Sequence, residues 1–243
     1  MRSAPVDNPA GAAEERSTLR EAFDLALAGD TLSAFGGVIG LGRTVDVSTA
    51  EAIVAHFFEA VVAPGYDEAA LAMLQRKKNL RILALEELSA PSAQTRDIRR
   101  VAGGLLLQSW DREPVKDWKV MTTRQPTEAE WRALRFAWKV AEHVKSNAIV
   151  FAREDRVVGV GAGQMSRVDS VHLAARKSAS LAQGAVMASD AFFPFPDGVE
   201  AAAKVGIRAV IQPGGSMRDA EVLEAADRAN LAMVFTGTRH FRH

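Results

Sequence analysis

One pattern occurs twice in the chain and restricts its fold more than any other feature. It consists of a short apolar run, a Pro-Gly turn, an amphipathic segment and an Asn-Leu pair that leads into the next apolar run. The two copies are EAVVAPGYDEAALAMLQRKKNLRILAL and RAVIQPGGSMRDAEVLEAADRANLAMVFTG. Apolar runs that alternate with helical periodicity are typical of an α/β fold with a mostly parallel sheet. The repetition also predicts an internal duplication of one α/β unit.

Signals for helix starts support this interpretation. Thr18 with Glu21, and Thr127 with Glu130, have the spacing of a capping box, in which side chains bond the first free backbone N–H groups of a helix. Apolar residues follow each pair at helical spacing, in the first case up to Gly29. Two further helices are predicted, one capped by Ser48 with Glu51 and one that runs from Asp67 through Lys77.

The 243 residues divide into three predicted parts. Residues 1–17 lack periodicity and are interpreted as an N-terminal arm. Residues 18–126 hold the first copy of the unit and a connecting region, and residues 127–243 hold the second copy.

The composition excludes several kinds of site and partner. The chain contains no cysteine, so disulfides, cysteine-ligated zinc and cysteine nucleophiles are excluded. Lys and Arg number 30, as do Asp and Glu, and this balance argues against nucleic acid as a partner. No apolar stretch is long enough to span a membrane, and the first residues lack the pattern of a signal peptide. We therefore expect a cytoplasmic protein without a membrane partner.

A glycine-rich segment, GVGAGQMSR, connects a predicted hairpin to a helix start. Free backbone N–H groups, the helix dipole and Arg167 would converge there and could hold an anion. Gly159, Gly161 and Gly163 have a second interpretation, in which glycine only allows tight packing of the strand on the helix.

A stiff aromatic turn, SDAFFPFPDG, follows a predicted strand. Its prolines fix the backbone where the phenylalanine rings emerge. The turn could cover a flat heteroaromatic ligand, with Asp197 as the acceptor for the polar edge of that ligand. The alternative is an Asp197 N-cap below a packed aromatic corner.

Taken together, five strings resemble one known family. They are SNAIV, VGVGAGQMSRVDS, SDAFFPFPDGVEAA, IQPGGSMRD and the terminal TGTRHFRH, and they resemble the transformylase domain of the AICAR transformylase/IMP cyclohydrolase family. The resemblance implies duplicated cytidine-deaminase-like three-layer α/β units with mostly parallel mixed sheets. It implies transfer of a formyl group from 10-formyltetrahydrofolate to the amine of AICAR, a step of purine biosynthesis. It also implies an intertwined homodimer with active sites between subunits.

The resemblance assigns roles to individual positions. Asn147 would lie near the reacting groups, and the terminal His243 would contact the nucleotide. A potassium ion could lie near Ser146 and Asp190. The residues expected to line the folate pocket are Leu32, Phe35, Phe192, Pro194 and Asp197. Those expected to contact the nucleotide are Asn8, Arg167, Arg239 and Phe241.

The sequence departs from the family pattern at its start. The family has a Lys-His pair before Asn-Pro-x-Gly, where histidine takes a proton from the amine and lysine stabilises developing charge. Here Pro5 and Val6 occupy those positions, and neither transfers a proton. Loss of a general base costs about 10²-fold to 10⁴-fold in rate. An Arg-Tyr-Gly segment of the family is also missing, and IMP cyclohydrolase activity is not expected.

Three hypotheses follow from the matches and departures. The first is an AICAR transformylase-type enzyme with altered machinery, in which His243 or His240 replaces the missing base, or which acts on another amine. The second is a paralogue that binds folate and nucleotide without chemistry. The third is a subunit that pairs with a complete homologue.

Overall fold

The computed structural model describes residues 18–86, 96–111, 117–154 and 156–242. The predicted N-terminal arm, with Pro5, Val6 and Asn8, lies outside the described residues, and so does His243. The chain forms two compact units. The smaller unit is Phe35–Pro114, and the larger unit comprises the chain before and after it. The predicted boundary between residues 126 and 127 stays a prediction.

The smaller unit contains a three-stranded parallel sheet, two helices and a separate antiparallel hairpin. The strand order is sequential, and Val61 and Ala63 on the middle strand are fully buried. Ile53 and Leu74 on the two helices are also buried. The elements are β1 (Gly37–Gly40), α2 (Val47–Val54), β2 (Phe58–Ala63), α3 (Glu68–Leu74), β3 (Arg81–Ala84), β4 (Arg96–Val101) and β5 (Gly104–Ser109).

The predicted cap of α2 at Ser48 is wrong, because the helix begins earlier. The carboxylate of Asp46 accepts a hydrogen bond from the N–H of Thr49 at 2.7 Å. Val45 forms a parallel bridge with Tyr66, which holds the chain extended up to that point and makes Asp46 the first position at which a helix can start. Asp67 precedes α3 as predicted but makes no side-chain cap bond, and α3 ends at Leu74 rather than Lys77.

The larger unit begins with α1 (Leu19–Gly29) and contains a six-stranded mixed sheet. The capping boxes predicted at Thr18 and Thr127 are both confirmed. The other elements are β6 (Lys119–Val120), α4 (Glu128–Ala141), β7 (Ile149–Arg153), β8 (Arg156–Gly161), α5 (Arg167–Ser178), a 3₁₀ turn (Ala179–Ala182), β9 (Val186–Ser189), α6 (Asp197–Lys204), β10 (Ala209–Gln212), α7 (Asp219–Arg228) and β11 (Ala232–Phe235).

The sheet of the larger unit is buried on both faces. Its strand order is β6-β11-β10-β9-β7-β8, in which β9, β10 and β11 are parallel. Side chains alternate between two cores: Phe151 and Met187 lie among residues of α5, α6 and α7, whereas Val150 and Ala188 lie against α4. Burial on both faces explains why these strands have nearly continuous apolar sequences.

The α/β class and the mostly parallel mixed sheets are confirmed. Both units contain three parallel strands in sequential order with a helix in each connection, namely β1-α2-β2-α3-β3 and β9-α6-β10-α7-β11. The cytidine-deaminase-like duplication stays a prediction. Within the described ranges, no helix is both long enough and apolar enough to cross a membrane.

Candidate functional site

The carboxyl ends of β9, β10 and β11 point to one edge of the six-stranded sheet. Because β7 is antiparallel to β9, its first residue, Ile149, lies at the same edge, paired with Ser189. Ligands of open α/β sheets usually bind outside the carboxyl ends of the strands. The segments that follow or precede the strands here are 145–148, 162–166, 190–196, 213–218 and 236–242.

A buried ion pair lies at this edge. Arg167, the first residue of α5, donates through Nη1 to a carboxylate oxygen of Asp190 at 2.5 Å and to Ser189 Oγ at 2.8 Å. The side chains of Arg167 and Asp190 are only 7% and 1% exposed. Through Nη2, Arg167 also donates to the side-chain oxygen of Asn147 at 2.9 Å. One guanidinium therefore connects three segments of the edge.

The last described residues join the same cluster. The hydroxyl of Ser146 donates to the other carboxylate oxygen of Asp190 at 2.6 Å and accepts from the N–H of Arg242 at 3.1 Å. The N–H of Ser146 donates to the carbonyl of Arg242 at 2.9 Å, and that of His240 donates to the carbonyl of Asp190 at 2.9 Å. The terminal segment is thus held at this edge of the sheet by backbone hydrogen bonds.

The terminal side chains point in different directions. His240 is buried, with its ring centre 4.8 Å from that of Trp138 on α4. Phe241 is half exposed, and the guanidinium of Arg239 lies 5.0 Å from the centre of its ring. Of these residues, Arg239 and Phe241 are the ones that an external ligand can reach.

The aromatic turn combines a buried and an exposed ring. Phe193 is buried, and a Cβ atom on Gly198 would come within 2.8 Å of its ring, so this corner is closely packed. Phe195 is half exposed, and the guanidinium of Arg218 lies 4.8 Å from its centre. Phe192 is partly buried and Pro194 is exposed.

Asp197 is not the N-cap of α6, which corrects the alternative given above. The N-cap is Pro196, and Asp197 is the first helical residue. Its exposed carboxylate accepts a hydrogen bond from the N–H of Gly198 at 2.7 Å. The turn therefore ends on a negative charge at the positive end of the helix dipole.

Tight packing accounts for two of the three glycines before α5. A Cβ atom on Gly159 would lie 2.4 Å from the carbonyl oxygen of Ala174, and one on Gly161 only 1.9 Å from that of Ser170. Gly163 has open space around it and a φ of +67°. These values support the packing interpretation for Gly159 and Gly161.

Comparison with known proteins decides the family. Residues 6–177 match the sequence profile described as the AICARFT/IMPCHase bienzyme. The chain belongs to this family. It is 57% identical over 248 residues to the bifunctional purine biosynthesis protein PurH of Dinoroseobacter shibae, with 97% of this chain and 47% of that protein covered. PurH of Desulfitobacterium hafniense is 52% identical over 238 residues, covering 97% and 46%. The chain therefore spans about half the length of the curated relatives it matches.

The structure brings together some of the residues that the family resemblance selected. Asn147, Ser146, Arg167 and Asp190 form one hydrogen-bonded cluster, and Asp190 is the second residue of the aromatic turn. The roles of these residues in binding or catalysis stay predictions.

The residues expected to line the folate pocket are divided between the two units. Leu32 follows α1 in the larger unit and is 88% exposed. Phe35 belongs to the smaller unit, is 75% exposed, and has its ring centre 5.0 Å from that of Phe57. Their predicted partners, Phe192, Pro194 and Asp197, belong to the larger unit, and the shared pocket stays a prediction.

One residue at the edge was missed by the sequence analysis. Gln212 is fully buried at the end of β10, and its side-chain oxygen accepts from the N–H groups of Phe193 and Gly214 at 3.3 and 3.4 Å. It therefore ties the aromatic turn to the neighbouring loop. The available signal was a polar residue at the end of the apolar run AVIQ.

Proposed function

We propose that the chain is an AICAR transformylase-like protein of purine biosynthesis that binds 10-formyltetrahydrofolate and AICAR. The observation that carries the proposal is that Asp190, at the start of the aromatic turn, is hydrogen-bonded to the terminal segment and, through Arg167, to Asn147 at one edge of the sheet. These stretches lie far apart in the sequence. Their resemblance to the family and their spatial contact are independent observations.

The proposed reaction moves one formyl group. The amine nitrogen of AICAR forms a bond to the formyl carbon, and the bond from that carbon to N10 of the folate breaks. The amine loses one proton and N10 gains one, so the products are formyl-AICAR and tetrahydrofolate. Positioning both reactants accounts for much of the acceleration of such a transfer.

The chain offers chemically suitable groups for the two ligands. Phe192 and Pro194 supply apolar surface for the flat ring system of the folate, and Asp197 supplies an exposed acceptor for its N–H edge. Arg239 supplies an exposed cation for the nucleotide, and Phe241 an exposed aromatic ring. Leu32 and Phe35 are further candidates for contact with the folate, and Asn8 is a candidate for contact with the nucleotide.

The proton of the amine needs an acceptor. Pro5 and Val6 cannot provide one, so His243 is the proposed substitute. His240 is a poorer candidate, because it is buried against Trp138. Pro5 and Val6 also favour the other two hypotheses. One is a protein that binds both ligands without catalysing the reaction, and the other is a subunit that pairs with a complete homologue.

We also propose that the protein is a cytoplasmic homodimer. Apolar side chains that are largely exposed support association, since exposed apolar surface commonly marks an interface. Ile98, Leu105 and Leu107 of the β4-β5 hairpin are examples. Light scattering should give twice the chain mass of 26.1 kDa, and a species of 26.1 kDa alone at micromolar concentration would refute the dimer.

The potassium ion predicted near Ser146 and Asp190 stays a prediction. The carboxylate of Asp190 is already balanced by Arg167, and the hydroxyl of Ser146 both donates and accepts within the protein.

The proposed activity is tested by following tetrahydrofolate formation from 10-formyltetrahydrofolate and AICAR with purified protein. We expect turnover that falls by about 10²-fold in Asn147→Ala, by analogy with the loss of other positioned hydrogen-bonding groups. The matched control is Asn79→Ala, which changes an exposed asparagine of the smaller unit and should leave the rate unchanged.

Two other outcomes are informative. A rise in melting temperature with each ligand but no turnover supports the binding hypothesis, since a ligand at 100 times its dissociation constant adds about 2.7 kcal/mol of stability. The absence of both turnover and a shift in melting temperature would overturn the proposed function.

A further inference from the structure

The side chain of Asn147 is held in one orientation by three hydrogen bonds. Its nitrogen donates to the carbonyl oxygens of Gln164 at 3.0 Å and Met165 at 3.1 Å, and its oxygen accepts from Arg167 at 2.9 Å. A rotation of the carboxamide by 180° would face the amide nitrogen towards the guanidinium and the oxygen towards two carbonyls. That arrangement would lose all three bonds.

The number of hydrogen bonds that the Asn147 side chain can still make to a ligand follows from its donors and acceptors. A primary amide has two N–H donors and an oxygen with two lone pairs. Both donors are used inside the protein, and one lone pair is used by Arg167. What Asn147 can still offer is the second lone pair of its oxygen, and the residue is partly exposed.

The guanidinium of Arg167 is itself held in place by contacts with Asp190 and Ser189. Asp190 balances its charge, and Ser189 Oγ accepts from the same nitrogen while donating its own proton to the carbonyl of Ala191 at 2.7 Å. A buried guanidinium with its charge balanced is poorly suited to hold a ligand phosphate. The same geometry is well suited to hold the side chain of Asn147.

We propose that Arg167, oriented by Asp190, is a positioning residue that makes Asn147 a pure hydrogen-bond acceptor towards a ligand N–H group. This inference rests on the proposed function for the identity of that group, which is the amine of AICAR. As the amine attacks the formyl carbon, its nitrogen becomes positively charged, and its N–H group then forms a stronger hydrogen bond to a neutral oxygen. A bond that strengthens in this way lowers the barrier. The amide oxygen takes no proton, so the base is a separate group.

The orientation can be tested without any ligand, by NMR of the side-chain amide groups. The two Asn147 protons, identified by their loss in Asn147→Ala, should exchange with water at least tenfold more slowly than those of exposed Asn79. In Arg167→Met with Asp190→Asn, both charges are removed together, so no unpaired charge stays buried. In this double variant, which should remain folded, we expect the exchange rate of the Asn147 side-chain amide protons to approach that of Asn79. Equal exchange in the unchanged protein would overturn the positioning role.

The acceptor role is tested by binding of AICAR and of the analogue in which hydrogen replaces the amino group. Asn147→Ala and the double variant should each weaken AICAR binding by about tenfold and analogue binding by less than twofold. Equal losses for both nucleotides would assign Arg167 to the phosphate and overturn the proposal. If the unchanged protein binds neither nucleotide, the proposed function and the acceptor role are both wrong, whereas the exchange experiment still decides the positioning role.

Discussion

At the scale of single residues, Gly161 and Gly159 let α5 lie directly on β8. A Cβ atom at either position would meet helix backbone at less than 2.5 Å, and backbone cannot move aside as a flexible side chain can. The close approach fixes how near α5 lies to the sheet, and Arg167 is the first residue of that helix. Two small residues on a strand thereby determine the position of a charged group at the sheet edge.

We expect Gly161→Ala to lower the free energy of unfolding by about 1–3 kcal/mol or more, because the added methyl group overpacks this contact. Urea denaturation measures the loss. Gly42→Ala is the matched control, since no atom lies within 4 Å of a Cβ atom there and no positive φ is involved. A stability equal to that of the control would show that α5 does not press on β8 as described.

At the scale of elements, an ion pair ties the end of α1 to α5. Lys177, in the last turn of α5, donates to the carboxylate of Asp30 at 2.6 Å and to Ser33 Oγ at 3.1 Å. Partial burial alone raises the pKa of Asp30, but the hydrogen bonds from Lys177 and Ser33 outweigh it and lower the pKa from 3.8 to about 2. The ionised carboxylate therefore stabilises the folded protein.

Lys177→Met should reduce stability near neutral pH, because Asp30 loses its partner. A folded-state pKa below the unfolded value contributes stability above the unfolded pKa, and that contribution is lost as pH falls through the folded pKa. The difference between the unchanged protein and the variant should therefore be full above about pH 5 and shrink between about pH 4 and pH 2. Urea denaturation across this range measures it.

The control for this experiment is Lys177→Arg, which keeps the positive charge and should retain most of the pH dependence. A stability difference that stays constant from neutral pH to the acid limit would mean that Lys177 acts through packing and not through Asp30.

Elements could be predicted from the sequence where their signals are local. The boxes at Thr18 and Thr127 depend on residues three positions apart, and the apolar runs correctly indicated the strands. The cap of α2 was misplaced because a distant bridge, Val45 to Tyr66, decides where that helix starts. The pairing of Arg167 with Asp190 joins residues 23 positions apart and exists only once the sheet is formed.

At the scale of the whole molecule, the larger unit has the architecture that supports a site. Three parallel strands end at one edge, helices cover both sheet faces, and the loops at that edge hold Asn147 and Asp190. Such an arrangement leaves the connecting loops free to carry chemistry on a rigid base. We expect the ligands proposed for this family member to bind at this edge.

The most direct test of that claim is methionine-methyl NMR during titration with AICAR and then 10-formyltetrahydrofolate. Met165 is 98% exposed and its carbonyl accepts from Asn147, Met217 is fully exposed in the loop after β10, and Met73 lies on α3 of the smaller unit. We predict that the Met165 and Met217 signals move and saturate together while the Met73 signal stays in place. Binding that moves Met73 and leaves both Met165 and Met217 unchanged would contradict the assignment of the site.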